Sequence, residues 1–251
     1  MTVPDRVAVV TGGAAGIGLS IAQRLAHDGF KVAVIDCAEG TAEAAAADIA
    51  AAGGTAKGYR ADVANREQID TAVAAARADL GPIAVVVANA AVAPQQAFLG
   101  MTLEQWNSTL EINLTGTFNI VQSCLPDLVE AGWGRVVLIS SSSAQRGAPR
   151  MAHYAASKGG QMALTKALAV EFAKSGVTVN TVAPSSIDTP SVQKKRSEGT
   201  IPSAEDMAKY IPVGRMGTGQ DIAGAVSYLV SDDTSYVTGQ TLSVNGGSFI
   251  G

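Results

Sequence analysis

Tyr154 and Lys158 stand four positions apart in the segment YAASK and could together move a proton. Leu164, Leu168 and Phe172 follow at helical spacing, which predicts a helix with both polar side chains on one face, one turn apart. A free tyrosine, with a pKa of about 10, is a poor base at neutral pH. An ammonium about 4 Å away contributes on the order of 4 kcal/mol at an effective dielectric of 20. We therefore expect Lys158 to lower the pKa of Tyr154 and make the phenol an acid/base for an alcohol or carbonyl oxygen.

Four consecutive serines, 140–143, end a strand candidate ahead of this pair. A tyrosine and a lysine at this spacing also occur by chance on many helices, so their position matters. The carboxyl ends of parallel strands are where doubly wound sheets bind ligands. A serine hydroxyl at that edge could hold a substrate oxygen beside the tyrosine, although a polar serine-rich loop is an alternative for three of the four.

A glycine-rich turn, TGGAAGIG at 11–18, follows the first strand candidate and opens a helix. Glycine lets the backbone approach a ligand closely, and the N-terminus of the helix offers free N–H groups to a pyrophosphate. Gly12, Gly16 and Gly18 give the spacing G-x-x-x-G-x-G instead of G-x-G-x-x-G. A merely tight connection would need fewer glycines than the four in these seven residues. The turn therefore predicts a dinucleotide site.

Asp36 ends the second strand candidate, 18 residues after Gly18, close to the offset at which an acid meets the adenosine ribose. Its carboxylate can accept hydrogen bonds from the ribose hydroxyls and would repel a 2′-phosphate. Ala14, Ala15 and Cys37 supply no cation for such a phosphate. We therefore expect NAD in preference to NADP, with an ordinary loop acid as the alternative.

Short β-branched segments alternate with longer alanine- and leucine-rich amphipathic segments along the chain. Nearly continuous apolar strands such as VAVV and RVVLIS indicate a parallel sheet covered on both faces. The prediction is one α/β domain over 1–251, a doubly wound Rossmann fold with a seven-stranded, mostly parallel sheet and helices on both faces. Strands are expected at 6–11, 31–36, 56–62, 83–89, 135–141, 177–183 and 240–244, and helices at 16–28, 41–52, 66–80, 102–131 (bent), 152–174 and 219–231. The polar segment 190–213 breaks the alternation and is predicted to be a substrate lid.

The composition excludes several classes of protein. Of 251 residues 47% are hydrophobic and 16% charged, which is too apolar for disorder, yet no apolar run reaches the roughly 18 residues of a membrane span. A net charge of −4 argues against a nucleic-acid partner. Cys37 and Cys124 form no C-x-x-C pair, and the start MTVPDR does not resemble a signal peptide. We expect a cytoplasmic protein without a metal.

The order of the motifs TGGAAGIG, NAA at 89–91, EINLTG at 111–116, ISSSS, YAASK and NTVAPSSIDT resembles the short-chain dehydrogenase/reductase family over essentially the whole chain. The resemblance implies hydride transfer between NAD(H) and a secondary alcohol or ketone. It makes Tyr154 the acid/base, while Lys158 holds the nicotinamide ribose and lowers the tyrosine pKa. Ser141, thirteen positions before Tyr154, holds the substrate oxygen, and Asn113 anchors a water in the proton relay.

The same resemblance implies a cofactor site and a substrate site. Asp62 and Val63 match the pair that brackets adenine, Asn89 matches the residue that closes the cleft after the fourth strand, and Ile187 and Thr189 match those that hold the carboxamide. The implied cofactor set is Gly12, Ala15, Gly16, Ile17, Gly18, Asp36, Asp62, Val63, Asn89, Ala90, Tyr154, Lys158, Pro184, Ile187 and Thr189. The implied substrate set is Ser141, Ser143, Gln145 and Tyr154.

The sequence departs from the family pattern at two places. The family's N-N-A-G is Ala88-Asn89-Ala90-Ala91 here, so one asparagine and one glycine are missing. The usual P-G after the sixth strand is Pro184 followed by a serine. Neither departure removes a reacting group, but both concern the backbone beside the expected nicotinamide.

Two alternatives to a secondary-alcohol dehydrogenase stay open. The pattern also resembles reductases of 3-oxoacyl thioesters on acyl carrier protein or coenzyme A. These usually prefer NADPH, against which Asp36 argues, although Lys194-Lys195-Arg196 could face a phosphopantetheine or an acidic carrier protein. A nucleotide-binding module without catalysis should have lost the tyrosine, the lysine or the serine, and all three are present.

The quaternary structure and the substrate pocket yield coarser expectations. Members of this family are commonly tetramers, and Ala155, Gly159 and Ala163 give the tyrosine helix a small-residue face, so we expect a homotetramer. His153 is expected to pack or to line the rim, without a role in proton transfer. Specificity is expected from 93–95, from Ser143, Gln145 and Arg146 in the loop after Ser141, from His153 and from the lid.

Overall fold

Seven short strands form a single sheet in the structure, a computed structural model that describes residues 5–250. They are β1 (Val7–Thr11), β2 (Lys31–Asp36), β3 (Thr55–Arg60), β4 (Ile83–Ala88), β5 (Gly134–Ile139), β6 (Val177–Pro184) and β7 (Thr241–Val244). Their order is β3-β2-β1-β4-β5-β6-β7, and every neighbouring pair is parallel. The predicted seven-stranded sheet is confirmed, and it is wholly parallel within the described part of the chain.

Helices cover both faces of the sheet. They are α1 (Gly16–His27), α2 (Thr41–Ala51), α3 (Arg66–Leu80), α4 (Leu103–Leu110), α5 (Gly116–Glu130), α6 (Ser143–Arg146), α7 (Ala152–Phe172), α8 (Pro190–Ser197), α9 (Ala204–Ala208) and α10 (Gly219–Leu229). Short 3-10 turns lie at Phe98–Gly100, Ala173–Ser175 and Asp232–Thr234. Residues of α1, α2 and α10 contribute to one core, and residues of α3, α5 and α7 to the other, so the doubly wound architecture is confirmed.

The strands separate the two cores because successive side chains on a strand point to opposite faces. In β1, Ala8 and Val10 belong to the core under α1 and α10, whereas Val7 and Val9 belong to the core under α3 and α5. A strand buried on both sides therefore carries a continuous apolar sequence instead of an alternating one. No helix within residues 5–250 has the length and apolar character to cross a membrane.

The segment predicted as one bent helix over 102–131 consists of α4, a π-helical turn at Glu111–Thr115, and α5. A capping box between Thr102 and Gln105 begins α4. The wider π-helical turn contains the buried Asn113, whose side chain bonds to the loop after β4 instead of pointing into solvent. π-Helical turns inside α-helices are frequent at functional sites.

The segment predicted as a lid holds the two short helices α8 and α9. The Thr189 hydroxyl caps α8 by accepting from the Val192 N–H at 3.4 Å, and the Ser203 hydroxyl caps α9 by accepting from the Asp206 N–H at 3.0 Å. Most of these residues are exposed or half-buried. The segment therefore lies over the body of the protein and does not belong to its core.

Candidate active site

A cleft of about 510 Å³ opens at the carboxyl ends of β1, β4, β5 and β6. The chain order reverses between β1 and β4, and doubly wound sheets bind ligands at such a switch point. The predicted site residues that line the cleft are Gly12, Ala15, Gly16, Ile17, Asn89, Ala90, Ser141, Tyr154, Lys158, Pro184, Ile187 and Thr189. Seven others lie outside its lining: Gly18, Asp36, Asp62, Val63, Asn113, Ser143 and Gln145.

The glycine turn brings the backbone to the wall of the cleft. Gly12 and Gly16 have φ angles of 59° and 55°, in the left-handed region where glycine is favoured. A Cβ on Gly18 would overlap the carbonyl oxygen of Gly12, so this buried glycine shapes the turn without lining the cleft. α1 then begins with no side-chain cap, which leaves its first N–H groups free. This cradle fits the pyrophosphate of a dinucleotide.

Asn89 connects the ends of β4 and β1 beneath that turn. Its Nδ2 donates to the carbonyl oxygens of Thr11 and Gly12 at 3.0 and 3.1 Å. The backbone N–H groups of Asn89 and Ala90 both donate to the Thr11 hydroxyl, at 3.1 and 3.2 Å. The two strand ends at the switch point are therefore held at a fixed separation.

Asp36 lies at the end of β2, beside the glycine turn. Its Oδ2 accepts from the Ala14 N–H at 3.2 Å and its Oδ1 from the Ala38 N–H at 3.3 Å. The sequence analysis overlooked Arg60, which pairs with Asp36 in the β2–β3 register. The Arg60 guanidinium lies 3.7 Å from the Glu39 carboxylate. The carboxylates of Asp36 and Glu39 and the guanidinium of Arg60 therefore lie together at the corner where an adenosine ribose would bind.

A second cavity next to this corner contains Asp62 but not Val63. Asp62 accepts from the Ala64 N–H at 3.0 Å through Oδ1. Val63 is only 6% exposed and packs against Gly116, where an added Cβ would overlap the valine side chain. Of the pair expected to bracket adenine, only Asp62 therefore reaches an open surface.

Lys158 lies deep under the cleft, only 2% exposed. Its Nζ donates to the carbonyl oxygen of Ile139, at the end of β5, at 2.7 Å. The same Nζ lies 5.8 Å from the centroid of the Tyr154 ring. The Ser140 hydroxyl donates to the Lys158 carbonyl oxygen at 2.8 Å, which joins the end of β5 to α7. Of Ser140 and Ser141, which both line the cleft, Ser140 is thus committed to the fold.

Burial controls the protonation of both groups of the pair. It raises the pKa of Tyr154, and a hydrogen bond with the Ser141 side chain lowers that pKa in part. Burial also lowers the pKa of Lys158 to about 7. The expectation that Lys158 lowers the tyrosine pKa is therefore wrong for this structure, because desolvation dominates and Nζ bonds to a backbone carbonyl. At neutral pH the phenol therefore keeps its proton and has the form that a proton donor requires.

Asn113 braces the loop after β4 from the π-helical turn. Its Oδ1 accepts from the Val92 N–H at 2.8 Å, and its Nδ2 donates to the Val92 carbonyl oxygen at 2.9 Å and to the Ser157 hydroxyl at 3.0 Å. Its carbonyl oxygen accepts from Thr117 Oγ1 at 2.8 Å and from Gln161 Nε2 at 2.9 Å. All its polar atoms on the side chain are thus bonded to protein, and it connects α7 to the wall of the cleft.

Known proteins resemble this chain over nearly its whole length. A family model described as enoyl-(acyl carrier protein) reductase matches residues 12–248. An acetoacetyl-CoA reductase from Shinella zoogloeoides is 40% identical over 249 residues, which cover 98% of this chain and 99% of the relative. This chain belongs to the short-chain dehydrogenase/reductase family.

Two further members of this family also match nearly the whole chain. A 3-oxoacyl-(acyl-carrier-protein) reductase from Mycobacterium tuberculosis is 35% identical over 250 residues, covering 98% of this chain and 94% of the relative. The crystal structure of a variant actinorhodin polyketide ketoreductase with NADPH has a TM-score of 0.94, 34% identity and 99% coverage of both chains. The protein is accordingly a short-chain oxidoreductase that acts on an alcohol or ketone group.

The departures from the family pattern lie at the cleft itself. Ala91 and Ser185 both line it, whereas Ala88 is buried at the end of β4 and pairs with Leu138 of β5. The bonds from Thr11 and Asn89 described above fix the backbone in this region. The short-chain dehydrogenase/reductase fold therefore retains a bonded turn after β4 without the second asparagine.

Two residues of the predicted substrate set do not line the cleft. Gln145 donates through Nε2 to the Ser243 hydroxyl on β7 at 3.0 Å. The Ser143 N–H donates to the Ser141 hydroxyl at 3.1 Å, so Ser143 contributes its backbone to the oxygen that lines the cleft. His153, expected to pack or to line the rim, is packed: it is completely buried and borders a separate groove beside α4.

Three further buried polar residues of α7 were not predicted from the sequence. Ser157, Gln161 and Thr165 are completely buried on the same helix. Their spacing from Tyr154 follows the helical repeat, so a polar stripe was visible in the sequence. Ile201 and Met207 of the predicted lid segment line the cleft, and so does Met216, which lies outside that segment and was not predicted.

Proposed function

We propose that this short-chain dehydrogenase/reductase reduces the keto group of a small 3-oxoacyl thioester, such as acetoacetyl-CoA, with NADH. The single observation that carries the proposal is that the half-buried Tyr154 phenol and the Ser141 hydroxyl line the same cleft, with the pKa of the phenol raised by desolvation. A carbonyl that accepts a hydride needs such a proton donor. Two relatives are named for reductions of this kind, which supports the substrate class.

The chain's own side chains would complete the reaction. When bound, the nicotinamide supplies a hydride to the carbonyl carbon. Ser141 and Tyr154 donate hydrogen bonds to the carbonyl oxygen, and the Tyr154 proton transfers to that oxygen as the alcohol forms. Lys158, with its pKa lowered to about 7, can return a proton to the tyrosinate near neutral pH. Asn113 acts as a positioning residue through Val92 and Ser157.

The glycine turn and the N-terminus of α1 would hold the pyrophosphate, and Lys158 the nicotinamide ribose. Ile187 and Thr189 line the cleft beside them and would hold the carboxamide. We propose NAD(H) because the Asp36 carboxylate repels a 2′-phosphate and Glu39 already lies near Arg60. The structural relative was solved with NADPH, so this proposal separates the chain from that relative. Comparing kcat/KM with NADH and with NADPH tests it, and a preference for NADPH would contradict it.

The activity test follows NADH consumption with acetoacetyl-CoA in wild type and in Tyr154→Phe. Removing the donor should lower kcat by about 10²–10⁴-fold, the usual contribution of a general acid. NADH binding, measured by fluorescence, should be retained, because Phe keeps the ring. If Tyr154→Phe reduces the substrate at the wild-type rate, the proposed mechanism is wrong. If wild type oxidises simple secondary alcohols and leaves the thioester untouched, the substrate class is wrong.

We also propose a homotetramer that acts in the cytoplasm, with 190–213 as a substrate lid. A groove on α5 and α7 is lined by Leu114, Phe118, Ala163 and Ala167, among others, and Phe118 is 44% exposed. An added Cβ on Gly159 would meet no atom within 4 Å, so this face is open to a second helix. Light scattering should give four times the chain mass, and Phe118→Glu should reduce it. A single-chain mass for wild type would contradict the tetramer.

A further inference from the structure

The three consecutive cations of α8 have different surroundings. Lys194 Nζ lies 4.0 Å from Glu198 Oε1, and Arg196 Nη2 donates to Asp188 Oδ1 at 3.0 Å. Lys195 forms no ion pair with any residue between 5 and 250, and its side chain lines the main cleft. One cation of the triplet therefore faces the cleft, while its two neighbours are paired with acids of this chain.

The cleft that Lys195 faces favours an anion. Its lining includes Lys158 and Lys195, and neither an aspartate nor a glutamate lines it within the described residues. Lys158 is buried at the base, whereas Lys195 is exposed on α8. The side chains of Ile201, Met207 and Met216 supply an apolar surface in the same cleft. A ligand that is apolar in its middle and anionic at its outer end matches this arrangement.

We propose that Lys195 is a specificity-determining residue that binds a phosphate of the coenzyme A portion of an acyl-CoA substrate. The inference rests on the proposed thioester reduction and adds the residue that recognises the carrier of the acyl group. An ammonium forms charge-assisted hydrogen bonds with phosphate oxygens. The apolar side chains of the lid would contact the pantetheine between the thioester and the phosphates.

The charges favour free coenzyme A over an acidic carrier protein. A carrier protein would contact several unpaired cations spread over the rim. Arg196 is held by Asp188 at 3.0 Å, whereas Lys194 is exposed, lies 4.0 Å from Glu198 and does not line the cleft. Helix α8 therefore offers a carrier protein no second cation at the cleft. A single cation directed at the cleft recognises a small anionic ligand instead.

The kinetic test compares acetoacetyl-CoA with acetoacetyl-N-acetylcysteamine, which carries the same acyl thioester without phosphates. Lys195→Ala should raise KM for the coenzyme A ester about 10-fold or more, since a hydrogen bond to a charged group contributes roughly 1.5–3 kcal/mol and 1.4 kcal/mol is tenfold. Its kcat, its KM for NADH and its KM for the phosphate-free thioester should stay at wild-type values. Lys194→Ala is the matched control on the same helix and should change none of them.

A binding measurement keeps this inference separate from the proposed activity. Titration calorimetry with coenzyme A alone should show about 10-fold weaker binding to Lys195→Ala than to wild type and Lys194→Ala. Added salt should weaken binding to wild type more than to Lys195→Ala. If wild type reduces no thioester, the proposed function fails, whereas the calorimetry still decides whether Lys195 binds the phosphates.

Several results would overturn the role of Lys195. Equal coenzyme A affinity in wild type and Lys195→Ala would remove it directly. A loss of the same size on both thioesters would make Lys195 a residue that stabilises the lid. A raised KM for NADH would assign the cation to the cofactor pyrophosphate. A larger loss on acyl carrier protein than on the coenzyme A ester would replace the small ligand with a protein partner.

Discussion

Replacing Lys158 by methionine should stabilise the cofactor-free protein at low pH while abolishing its activity. The ammonium is 2% exposed, and burial lowers its pKa from 10.5 to about 7. At 1.36 kcal/mol per pKa unit, burying the charged form costs about 5 kcal/mol at pH 6. Methionine removes that cost and fills a similar volume, but it also removes the bond to the Ile139 carbonyl oxygen, which contributes about 1–3 kcal/mol. The variant should therefore be more stable than wild type by roughly 2–4 kcal/mol at pH 6.

The pH dependence is the sharper part of this prediction. Because the pKa of Lys158 is lowered in the folded state, the unfolded chain binds more protons between about pH 7 and 10.5. The free energy of unfolding of wild type therefore rises with pH across that window, and the contribution is absent from Lys158→Met. Between pH 6 and pH 9 the advantage of the variant should shrink by about 2–3 kcal/mol.

Urea denaturation of both proteins at one protein concentration, at several pH values from 6 to 9, measures this difference. Lys166→Met is the matched control, because Lys166 is an exposed lysine on the same helix. Its stability curve should run parallel to that of wild type. If the curves of Lys158→Met and wild type also run parallel, burial does not lower the pKa of Lys158 in the folded protein.

Further substitutions test the cofactor corner and the interior of the site. Asp36→Ser should raise kcat/KM with NADPH relative to NADH, because it removes the carboxylate that repels a 2′-phosphate; an unchanged ratio would contradict that role. Gly18→Ala should abolish NADH binding, measured by fluorescence, because its methyl group overlaps a backbone carbonyl, whereas Gly224→Ala, with open space around it, should not. Gln161→Leu should lower the urea-derived stability by about 1–3 kcal/mol and reduce kcat, since the Asn113 carbonyl oxygen loses a donor; wild-type values would refute it.

Sequence patterns predicted the elements well where local signals agree. The helix expected at 66–80 is found over those residues, with Asn65 accepting from the Gln68 N–H as its cap and Gly81 ending it. The strand expected through Ser141 ends at Ile139 instead, although the Ser140 N–H still donates to the Val182 carbonyl oxygen of β6, and the Ser140 hydroxyl donates to the Lys158 carbonyl oxygen. That contact joins elements far apart in sequence, so no local pattern reveals it.

The chemistry of the site was less predictable than its location. Helical spacing correctly brings Tyr154 and Lys158 to one cleft, but it carries no information on how deeply each is buried. Burial determines the direction of both pKa shifts, and it follows from the packing of α7 against the end of β5. Gln145 shows the same limit, since its partner Ser243 lies on the last strand.

The polar stripe of α7 explains how one helix serves both the fold and the reaction. Tyr154, Ser157, Lys158 and Gln161 turn toward the sheet and the π-helical turn, where an ordinary amphipathic helix would place apolar side chains. Hydrogen bonds to Asn113 and to the end of β5 satisfy most of the polar groups in this stripe. They do not offset the cost of removing the Lys158 ammonium from water. A helix rotated to expose this stripe would avoid that cost and would lose the protonated phenol from the cleft. The instability expected of buried Lys158 is therefore a consequence of the same orientation that places the Tyr154 phenol in the cleft.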